Sequence, residues 1–341
     1  MHIGIIGTGW ISRQFADAVQ RQQGAQLAGV LSRTRDSAER FKLPGEAYPA
    51  YGDIEEFLAD PRIDTVYIAS PNSMHYSQAA KAIDAGKNVI VEKPAFSNPA
   101  EFAKIEMLLQ RHPRVRFFEA ARHIHTGAFR SIAQQVGNMG AISGAVLSYM
   151  KYSSKYDAFL AGETPNIFTA RFSGGALQDL GVYLAYDAIA LFGAPLAAQY
   201  HPLLLSTGTD AMGTGVLHYQ HFDATLLISK TVNSRFGSEI YAGRQTLSFD
   251  NGGDLGSVRL VEGDGTVQEI CRSATGNPMS EEVRDFTEVI QAPDEPANQS
   301  RYLRWLRQSR EVCATLWQMR QSAGIHSPAD DSGQLTNAAE R

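Results

Sequence analysis

The chain has 341 residues, 43% of them hydrophobic and 20% charged, a composition typical of soluble globular proteins with about two domains. Lys and Arg total 31 against 36 Asp and Glu, and this net charge of -5 without long basic or acidic runs argues against nucleic acid and membrane surfaces as partners. Cys271 and Cys313 form neither a zinc spacing nor a disulfide framework, and the N-terminus lacks a signal-type lead, which favours a cytoplasmic protein.

Short β-rich runs alternate with segments of helical period in the first third of the chain. The runs are HIGII, LAGVL, TVYIAS, NVIVE and VRFFEA, and the helical segments include residues 73–85 and 99–110. Alternation of this length predicts βαβ units and a doubly wound parallel sheet with helices on both faces. We assign this α/β domain to residues 1–120.

The pattern changes after residue 120. A helix near residues 126–137 and a long strand, AISGAVLSYMKY, precede a glycine-led helix, GGALQDLGVYLAYD, at 174–187. The runs GVLHYQHF, ATLLISKTV, EIYAGRQTLSFD and GSVRLVEG follow with short turns such as DNGGD and EGDG, which predicts a mainly antiparallel sheet. The helical stretch RYLRWLRQSREVCATLWQMRQS completes an α+β domain over residues 121–325, and residues 326–341 are predicted to be a polar, frayed tail.

A glycine turn follows the first strand directly. IGIIGTGWIS places Gly7 and Gly9 between a strand and a helix, where the backbone can approach a pyrophosphate at the helix N-terminus, although Ser12 replaces the third fingerprint residue. A tight turn without a ligand is the alternative interpretation. The predicted dinucleotide contacts in this turn are Gly7, Thr8, Gly9, Trp10 and Ile11.

The second strand ends at Ser32 and Arg33, where an NAD site usually offers a carboxylate to the ribose. A hydroxyl and a guanidinium suit a 2′-phosphate, because Arg holds phosphate oxygens through several charge-assisted bonds. The sequence therefore favours NADP over NAD as cofactor. Arg33 and Arg35 could instead be solvated charges at a helix start, and nearby Asp36 keeps NAD open.

Two further strand ends, Ser70-Pro71-Asn72 and Glu92-Lys93-Pro94, lie at the carboxyl edge of the parallel sheet, where open α/β folds bind ligands. The ordered set GTGWIS, SPNSMH, VEKP, FFEA and GGALQDLGVY resembles the family of glucose-fructose oxidoreductase, inositol dehydrogenase and MocA over nearly the whole chain. The resemblance implies a Rossmann domain, then an α/β domain whose large open antiparallel sheet often builds the oligomer interface, so a homodimer or higher homo-oligomer is expected. It also implies an NAD(P)-dependent oxidoreductase acting on a hydroxyl or carbonyl carbon of a sugar, polyol or diol.

The resemblance makes Lys93 the catalytic lysine of a Glu-Lys-Pro motif, contacting the reacting oxygen and the nicotinamide ribose. A cation there stabilises the negative charge that develops on the oxygen as hydride moves. The alternative is a surface lysine paired with Glu92. His75 could likewise cap or pack on its own helix instead of serving the cofactor. The other cofactor residues implied by the resemblance are Ser70, Pro71, Asn72, His75, Glu92 and Glu119.

The glycine-led helix carries Asp179 and, four residues later, Tyr183, where many family members have a histidine. Positions i and i+4 share one helix face. A tyrosine also occupies this place in glucose-fructose oxidoreductase and dimeric dihydrodiol dehydrogenases, and a free phenol, with a pKa of about 10, donates a proton readily in carbonyl reduction. We expect Tyr183 to exchange the proton, Lys93 to polarise the oxygen and Asp179 to orient them. Alternatively, Asp179 caps the helix and Tyr183 packs with its hydroxyl at the surface, while Asp187 is expected to make only a structural hydrogen bond.

The remaining candidates concern the substrate and metals. Arg122, Tyr152 and Asn166 are candidate pocket residues, although KYSSKYDAFLAGETPNIF could equally be an irregular surface loop. His123 and His125 have no carboxylate or cysteine nearby in sequence, so no metal is expected. Two other functions stay open: a transhydrogenase-like member with a tightly bound cofactor, and a non-catalytic nucleotide-binding regulatory protein.

Overall fold

The computed structural model describes residues 1–42, 47–272 and 276–331, which form two compact units. The first unit contains Met1–Phe96, Ala100–Arg122 and Gly276–Arg307. The second contains Ser97–Pro99, His123–Thr275 and Gln308–Arg341, as far as these are described. Of the predicted tail, residues 332–341 lie outside the described residues. No helix in the described ranges is long and apolar enough to cross a bilayer.

A six-stranded sheet forms the centre of the first unit. Its strands are β1 (His2–Ile6), β2 (Gln26–Leu31), β3 (Ala50–Tyr51), β4 (Thr65–Ile68), β5 (Asn88–Glu92) and β6 (Phe117–Ala120). They pair in the order β3-β2-β1-β4-β5-β6, and every pair is parallel. This is the strand order of a Rossmann fold, as predicted. Sequence patterning did not detect β3, which has only two residues.

The helices that accompany both sheets begin and end as follows. They are α1 (Trp10–Arg21), α2 (Arg35–Phe41), α3 (Ile54–Ala59), α4 (His75–Asp84), α5 (Pro99–Arg111), α6 (Gly127–Asn138), α7 (Tyr156–Leu160), α8 (Val182–Phe192), α9 (Ser280–Gln291), α10 (Pro296–Ser322) and α11 (Pro328–Asp331). The predicted helices at 73–85, 99–110 and 126–137 correspond to α4, α5 and α6, whereas α9 was not predicted.

The first unit buries its sheet on both faces, which explains its continuous apolar strands. Every residue of β4 and β6 is buried. On one face, Phe15 of α1 stacks on Tyr67 of β4 with ring centroids 3.6 Å apart. Phe118 of β6 stacks on Phe286 of α9 at 4.6 Å, so α9 completes the same core. The α/β prediction for this part of the chain is therefore confirmed.

An eight-stranded sheet forms the second unit. Its strands are β7 (Gly144–Met150), β8 (Ala197–Leu204), β9 (Asp210–His218), β10 (Asp223–Ser229), β11 (Ser238–Ala242), β12 (Gln245–Phe249), β13 (Ser257–Val261) and β14 (Val267–Arg272). Their order is β14-β13-β12-β11-β7-β10-β9-β8. All pairs are antiparallel except β7 with β10, so the prediction of a mainly antiparallel sheet is confirmed.

Some boundaries differ from the sequence-based expectation for physical reasons. The run GVLHYQHF does not stay extended, because Tyr219–Phe222 closes the β9–β10 turn with a 2.9 Å backbone hydrogen bond. EIYAGRQTLSFD splits into β11 and β12, because Gly243 adopts φ +57 at the turn between them. Strands β8 and β14 were not predicted. Burial alternates along β11, which means that one sheet face is covered and the other is more exposed.

Candidate active site

The turn after β1 has the shape that a phosphate-binding turn requires. Gly7 adopts φ +104, and a Cβ there would lie 2.6 Å from the Ala69 carbonyl oxygen, so only glycine fits. Gly9 is the N-cap of α1, and a Cβ there would meet no atom within 4 Å. Ser12 is fully buried, which explains why a small residue stands at the third fingerprint position. The turn therefore leaves the backbone at the α1 N-terminus approachable, as a bound pyrophosphate needs.

The two candidate arginines after β2, Arg33 and Arg35, differ in whether their charge is paired. Arg35 donates to the Glu56 carboxylate at 2.8 Å, so its charge is already paired. Arg33 is exposed and makes no hydrogen bond or ion pair within the described ranges. Ser32 lies 3.4 Å from the hydroxyl of Thr8, which links the ends of β1 and β2. Ser32 and Arg33 thus lie beside the glycine turn with a guanidinium available for an anion.

Lys93 directly follows β5. Two polar side chains contact the backbone of Pro94 and Ala95, the two residues after it. The Lys93–Pro94 peptide bond is cis. The Ala95 N–H donates to Glu119 Oε1 at 2.9 Å, and His75 Nδ1 lies 3.0 Å from the Pro94 carbonyl oxygen. Glu119 and His75, both predicted as cofactor residues, therefore direct polar atoms at the backbone that follows the lysine.

His75 joins two strand ends. Its Nε2 lies 2.9 Å from the Ser70 carbonyl oxygen, at the end of β4, while Nδ1 faces Pro94 after β5. Burial lowers the pKa of His75, and the charge of Lys93 lowers it further. A neutral imidazole donates from only one nitrogen, so one carbonyl contact is a hydrogen bond and the other is only a close approach.

Glu92 is buried, so its carboxylate is directed to the interior rather than to solvent. The Tyr67 hydroxyl donates to Glu92 Oε1 at 2.5 Å. Burial raises the pKa of Glu92, although the neighbouring Lys93 charge opposes that shift. Lys93 itself is partly exposed. The motif thus separates an inward carboxyl from a more accessible ammonium.

In the second unit, glycines and a buried carboxylate start the segment that carries Asp179 and Tyr183. Gly175 adopts φ +124, and a Cβ there would lie 2.0 Å from Asp210 Oδ1. Asp210 Oδ2 accepts from the Leu177 N–H at 2.7 Å and from the Tyr200 hydroxyl at 2.6 Å. The carboxylate satisfies a backbone donor at the helix start, as a capping residue does.

The segment does not begin as the regular α-helix expected from its sequence. Leu177–Gly181 form a π-helical turn, and α8 follows from Val182. A Cβ on Gly181 would lie 2.9 Å from Ile228 Cδ1 of β10, so glycine lets this turn pack closely on the sheet. Single π-helical turns are rare and are found often at functional sites. Asp179 lies within the π-turn, and Tyr183 lies in the first turn of α8.

Asp179 has a partner that the sequence did not indicate. Lys230, the residue after β10, forms an ion pair with the Asp179 carboxylate. The Lys230 side chain is 7% exposed and that of Asp179 is 25% exposed. The only sequence signal was a lysine that ends the apolar run ATLLIS. The structure therefore adds Lys230 to the candidate residues.

Tyr183 is 7% exposed, and its ring lies against two other rings. The His123 ring centroid is 4.8 Å away, and Tyr149 of β7 packs edge-on at 5.3 Å. The Tyr149 hydroxyl donates to Asp254 Oδ2 at 3.2 Å. The phenol that we expected to exchange a proton is thus held by aromatic neighbours on α8's own unit.

Asp187, one turn beyond Tyr183, is fully buried, and the expected structural hydrogen bond is absent. Neither of its carboxylate oxygens has a hydrogen-bond partner within the described residues, and His123 Nε2 is 3.4 Å from Oδ1. Burial raises the pKa of Asp187 well above its usual range. A Cβ on Gly252 would lie 2.4 Å from Asp187 Oδ2, so the loop after β12 packs directly on this carboxyl.

The other candidates are placed as follows. Tyr152 donates to Asp157 at 2.7 Å within its own loop, and Asn166 is exposed. Arg122 lies at the end of the first unit and is partly buried. His123 and His125 are both buried core residues. Throughout the described ranges, no group of three or more His, Cys, Asp or Glu could hold a metal ion.

Comparisons with known proteins agree with this architecture. The model of the GFO_IDH_MocA family, described as an oxidoreductase family with an NAD-binding Rossmann fold, matches residues 1–119. The chain is 32% identical over 332 residues to the uncharacterized oxidoreductase YgjR of Escherichia coli K12, covering 97% of this chain and 98% of YgjR. It is 31% identical to the scyllo-inositol 2-dehydrogenase (NADP(+)) IolU of Bacillus subtilis, covering 97% of this chain and 100% of IolU.

More distant relatives extend the comparison. The trans-1,2-dihydrobenzene-1,2-diol dehydrogenase of Homo sapiens is 29% identical over 233 residues, covering 63% of this chain and 64% of the human protein. The solved structure of KijD10, a 3-ketoreductase from Actinomadura kijaniata in complex with NADP, superimposes with a TM-score of 0.78 at 18% identity, covering 95% of this chain and 97% of KijD10. At that identity the likeness concerns the fold.

Proposed function

The chain belongs to the Gfo/Idh/MocA family of oxidoreductases, and we propose that this NAD(P)-dependent dehydrogenase or reductase uses NADP to interconvert a hydroxyl and a carbonyl on a sugar, polyol or diol. The observation that carries the proposal is the strand end of Lys93, whose following backbone is held by Glu119 and His75. A fixed backbone holds the ammonium in position for a reacting oxygen.

The residues at the ends of β1 and β2 fit NADP. The turn from Gly7 to Gly9 leaves the backbone at the α1 N-terminus approachable by a pyrophosphate, since a Cβ on Gly9 would meet no described atom within 4 Å. Arg33, which has no carboxylate partner in the described chain, would hold the 2′-phosphate with Ser32 beside it. Two relatives described above carry NADP in their names or complexes, which supports the same choice. When bound, the cofactor would supply a hydride as NADPH or accept one as NADP+.

Lys93 stabilises charge on the reacting oxygen. During carbonyl reduction that oxygen gains negative charge, and a nearby ammonium lowers the energy of the transition state more than that of the ground state. The buried Glu92 carboxyl beside it accepts a hydrogen bond from the Tyr67 hydroxyl. We infer that Lys93 supplies the cation of the motif while the Glu92 carboxyl stays buried.

Tyr183 transfers the proton. Its phenol donates a proton to the oxygen in reduction and accepts one in oxidation. Asp179, in the π-turn that precedes Tyr183, forms an ion pair with Lys230 at the end of β10. We propose that Asp179 acts together with Lys230 and not as an isolated carboxylate.

The substrate class rests on relatives of similar full length and on the chemistry above. IolU is named for scyllo-inositol, the human relative for a dihydrodiol, and KijD10 for a 3-ketoreductase activity. All three names describe a carbon that carries a hydroxyl or a carbonyl. We therefore propose a cyclic polyol, sugar or vicinal diol as substrate class, with inositols as the first compounds to test.

The test is an absorbance assay at the nicotinamide band with NADPH or NADP and a panel of inositols, sugars and diols. We expect turnover with at least one cyclic polyol or its ketone. Lys93→Met should abolish turnover, and Tyr183→Phe should lower kcat by about 10²- to 10⁴-fold, the usual contribution of a general acid or base. NADP affinity should stay close to that of the parent in Tyr183→Phe.

Two results would contradict the proposal. Full turnover in Tyr183→Phe, with loss in Lys93→Met, would remove Tyr183 from proton transfer. Tight NADP binding without turnover on any member of the panel would favour a non-catalytic nucleotide-binding protein.

A further inference from the structure

Ser173 lies directly before the glycine pair that starts the segment of Asp179, and its backbone is unusual. It adopts φ 51 and ψ 45, and within the described ranges no other residue except glycine has a positive φ. Only glycine enters this left-handed region without a steric cost, so a serine there needs contacts that hold it. Residues kept in such conformations cluster at functional sites.

The contacts that hold Ser173 are hydroxyl groups from two distant parts of the chain, both in the second unit. Ser173 Oγ lies 2.8 Å from Ser97 Oγ and 2.9 Å from Ser327 Oγ. All three serines are buried. A buried hydroxyl that lost these partners would be left unsatisfied, which is unfavourable. The two neighbouring hydroxyls therefore fix the position of Ser173.

Ser327 begins a C-terminal segment, residues 327–331, which is itself held by a buried ion pair. The Arg320 guanidinium donates to both carboxylate oxygens of Asp330 at 2.8 Å. Asp330 Oδ2 also accepts from the Ser327 N–H at 2.9 Å. The Arg320 side chain is only 4% exposed, so its charge needs this carboxylate. The ion pair therefore keeps Ser327 beside Ser173.

The residues after Ser173 connect it closely to the π-turn. The Gly175 N–H donates to the Ile167 carbonyl oxygen at 2.8 Å, and the Asp179 N–H donates to the Gly175 carbonyl oxygen at 3.1 Å. A Cβ on Gly174 would lie 2.5 Å from the same Ile167 oxygen, so the backbone is closely packed here. Closely packed interiors transmit displacements. A shift of Ser173 would therefore reach the turn that contains Asp179.

We propose that Ser173 is a positioning residue for the segment that carries Asp179 and Tyr183, and that the C-terminal segment holds Ser173 in this role. The Ser173 hydroxyl is buried between two serines, so it acts through the backbone and not on the substrate. The inference rests on the proposed role of Tyr183 in proton transfer. Such a step depends steeply on geometry, because a displacement of about 1 Å can lower a rate by roughly 10²-fold.

The test compares Ser173→Ala with Ser173→Gly in the nicotinamide absorbance assay. Both variants lack the hydroxyl, but glycine adopts the left-handed backbone without cost and alanine does not. We expect kcat to fall by about 10- to 100-fold in Ser173→Ala and by less in Ser173→Gly, while KM changes less than kcat. Ser327→Ala removes one partner of Ser173 and should also lower kcat. Ser131→Ala is the control, because that hydroxyl bonds to Gly127 within α6, and it should keep the parental kcat.

Hydrogen exchange measured by mass spectrometry provides a readout that does not require turnover. The backbone amides of residues 177–181 should exchange faster in Ser173→Ala than in the parent, and those of β5 should not change. If the parent turns over no compound, the proposed function fails and the exchange result alone decides the positioning role. If Ser173→Ala does not fold, Ser173→Gly and Ser327→Ala carry the same comparison.

Parental exchange at residues 177–181 would overturn the inference. A parental kcat in Ser173→Ala would also overturn it, because the segment would then move without affecting the reaction. An equal loss of kcat in Ser131→Ala would have the same meaning, since any lost serine hydroxyl of this unit would then produce the effect.

Discussion

The ammonium of Lys230 forms an ion pair with the carboxylate of Asp179, although the two residues are 51 positions apart. The pair exists because the π-turn that contains Asp179 packs on β10, and Lys230 is the first residue after that strand. The nearly buried ammonium of Lys230 needs this carboxylate, since an unpaired charge in the interior is strongly destabilising.

Removing one partner of this ion pair should lower the free energy of unfolding more than removing both partners. Lys230→Met leaves Asp179 without its counter-ion and should lower the free energy of unfolding by about 3 kcal/mol, the low end for a buried pair because Asp179 is partly exposed. Lys230→Met combined with Asp179→Asn should regain most of that stability but not the turnover. Urea unfolding and kcat measure the two effects. Lys155→Met, at an exposed lysine of the same unit, is the control. Parental stability in Lys230→Met would mean that the pair contributes nothing.

The loop after β12 should influence Tyr183 through Tyr149. A Cβ on Gly253 would lie 2.1 Å from the Tyr149 ring, which itself packs edge-on against Tyr183. Gly253→Ala should therefore displace the ring, destabilise the fold by about 1–3 kcal/mol and lower kcat more than it raises KM. Gly140→Ala is the matched control, because a Cβ there meets no atom within 4 Å. If both alanine variants show the same kcat, the loop does not position the phenol.

Arg33 should determine cofactor preference. Arg33→Ala should weaken NADP binding by about 10- to 100-fold, as expected for loss of hydrogen bonds to a charged group, and leave NAD binding unchanged. Arg35→Ala is the control, since that guanidinium is paired with Glu56. Fluorescence titration with both cofactors provides the measurement. Equal affinity of the parent protein for NADP and NAD would disprove the assignment.

Asp187 should give the stability of the protein a measurable pH dependence. Burial raises the pKa of its carboxyl in the folded state, so the folded protein retains a proton that the unfolded chain releases. The stability linked to this group is complete below the usual Asp pKa, about 3.9, and is lost as the pH rises from there toward the raised value. As the pH rises through that interval, the free energy of unfolding of Asp187→Asn should therefore fall less than that of the parent. Denaturant unfolding at several pH values tests this, and parallel curves would contradict it.

The sequence predicted the parts of the fold that depend on local pattern. Continuous apolar runs gave five of the six parallel strands, and the glycine turn after β1 was correctly placed between strand and helix. The two-residue β3 has no periodicity to detect. Strand β8 contains Pro202, which weakens its strand signal although an edge strand tolerates proline.

Long-range contacts could not be read from the sequence, and they define much of the candidate site. Nothing in the spacing of Lys230 and Asp179 links them, because their contact depends on the pairing of β7 with β10. His75 and Glu119 were predicted near the cofactor from the resemblance alone. Their polar contacts with the backbone after Lys93 join residues that are 19 and 24 positions apart, which no sequence pattern indicates. The catalytic roles of Lys93, Tyr183 and Asp179 stay predictions that the kinetic variants will decide.

The π-helical turn at Leu177–Gly181 has a consequence for how this segment can change length. The hydrogen bonds of a π-turn span one more residue than those of an α-helical turn. Deleting a single residue would therefore convert this turn to regular α-helix. Each α-helical residue advances the chain by about 100° of rotation. A deletion after Asp179 would therefore turn Asp179 and Tyr183 out of phase by roughly a quarter turn while α8 stayed intact. Insertions and deletions in this turn therefore change the angle between the Asp179 carboxylate and the Tyr183 phenol, whereas point substitutions leave that angle unchanged.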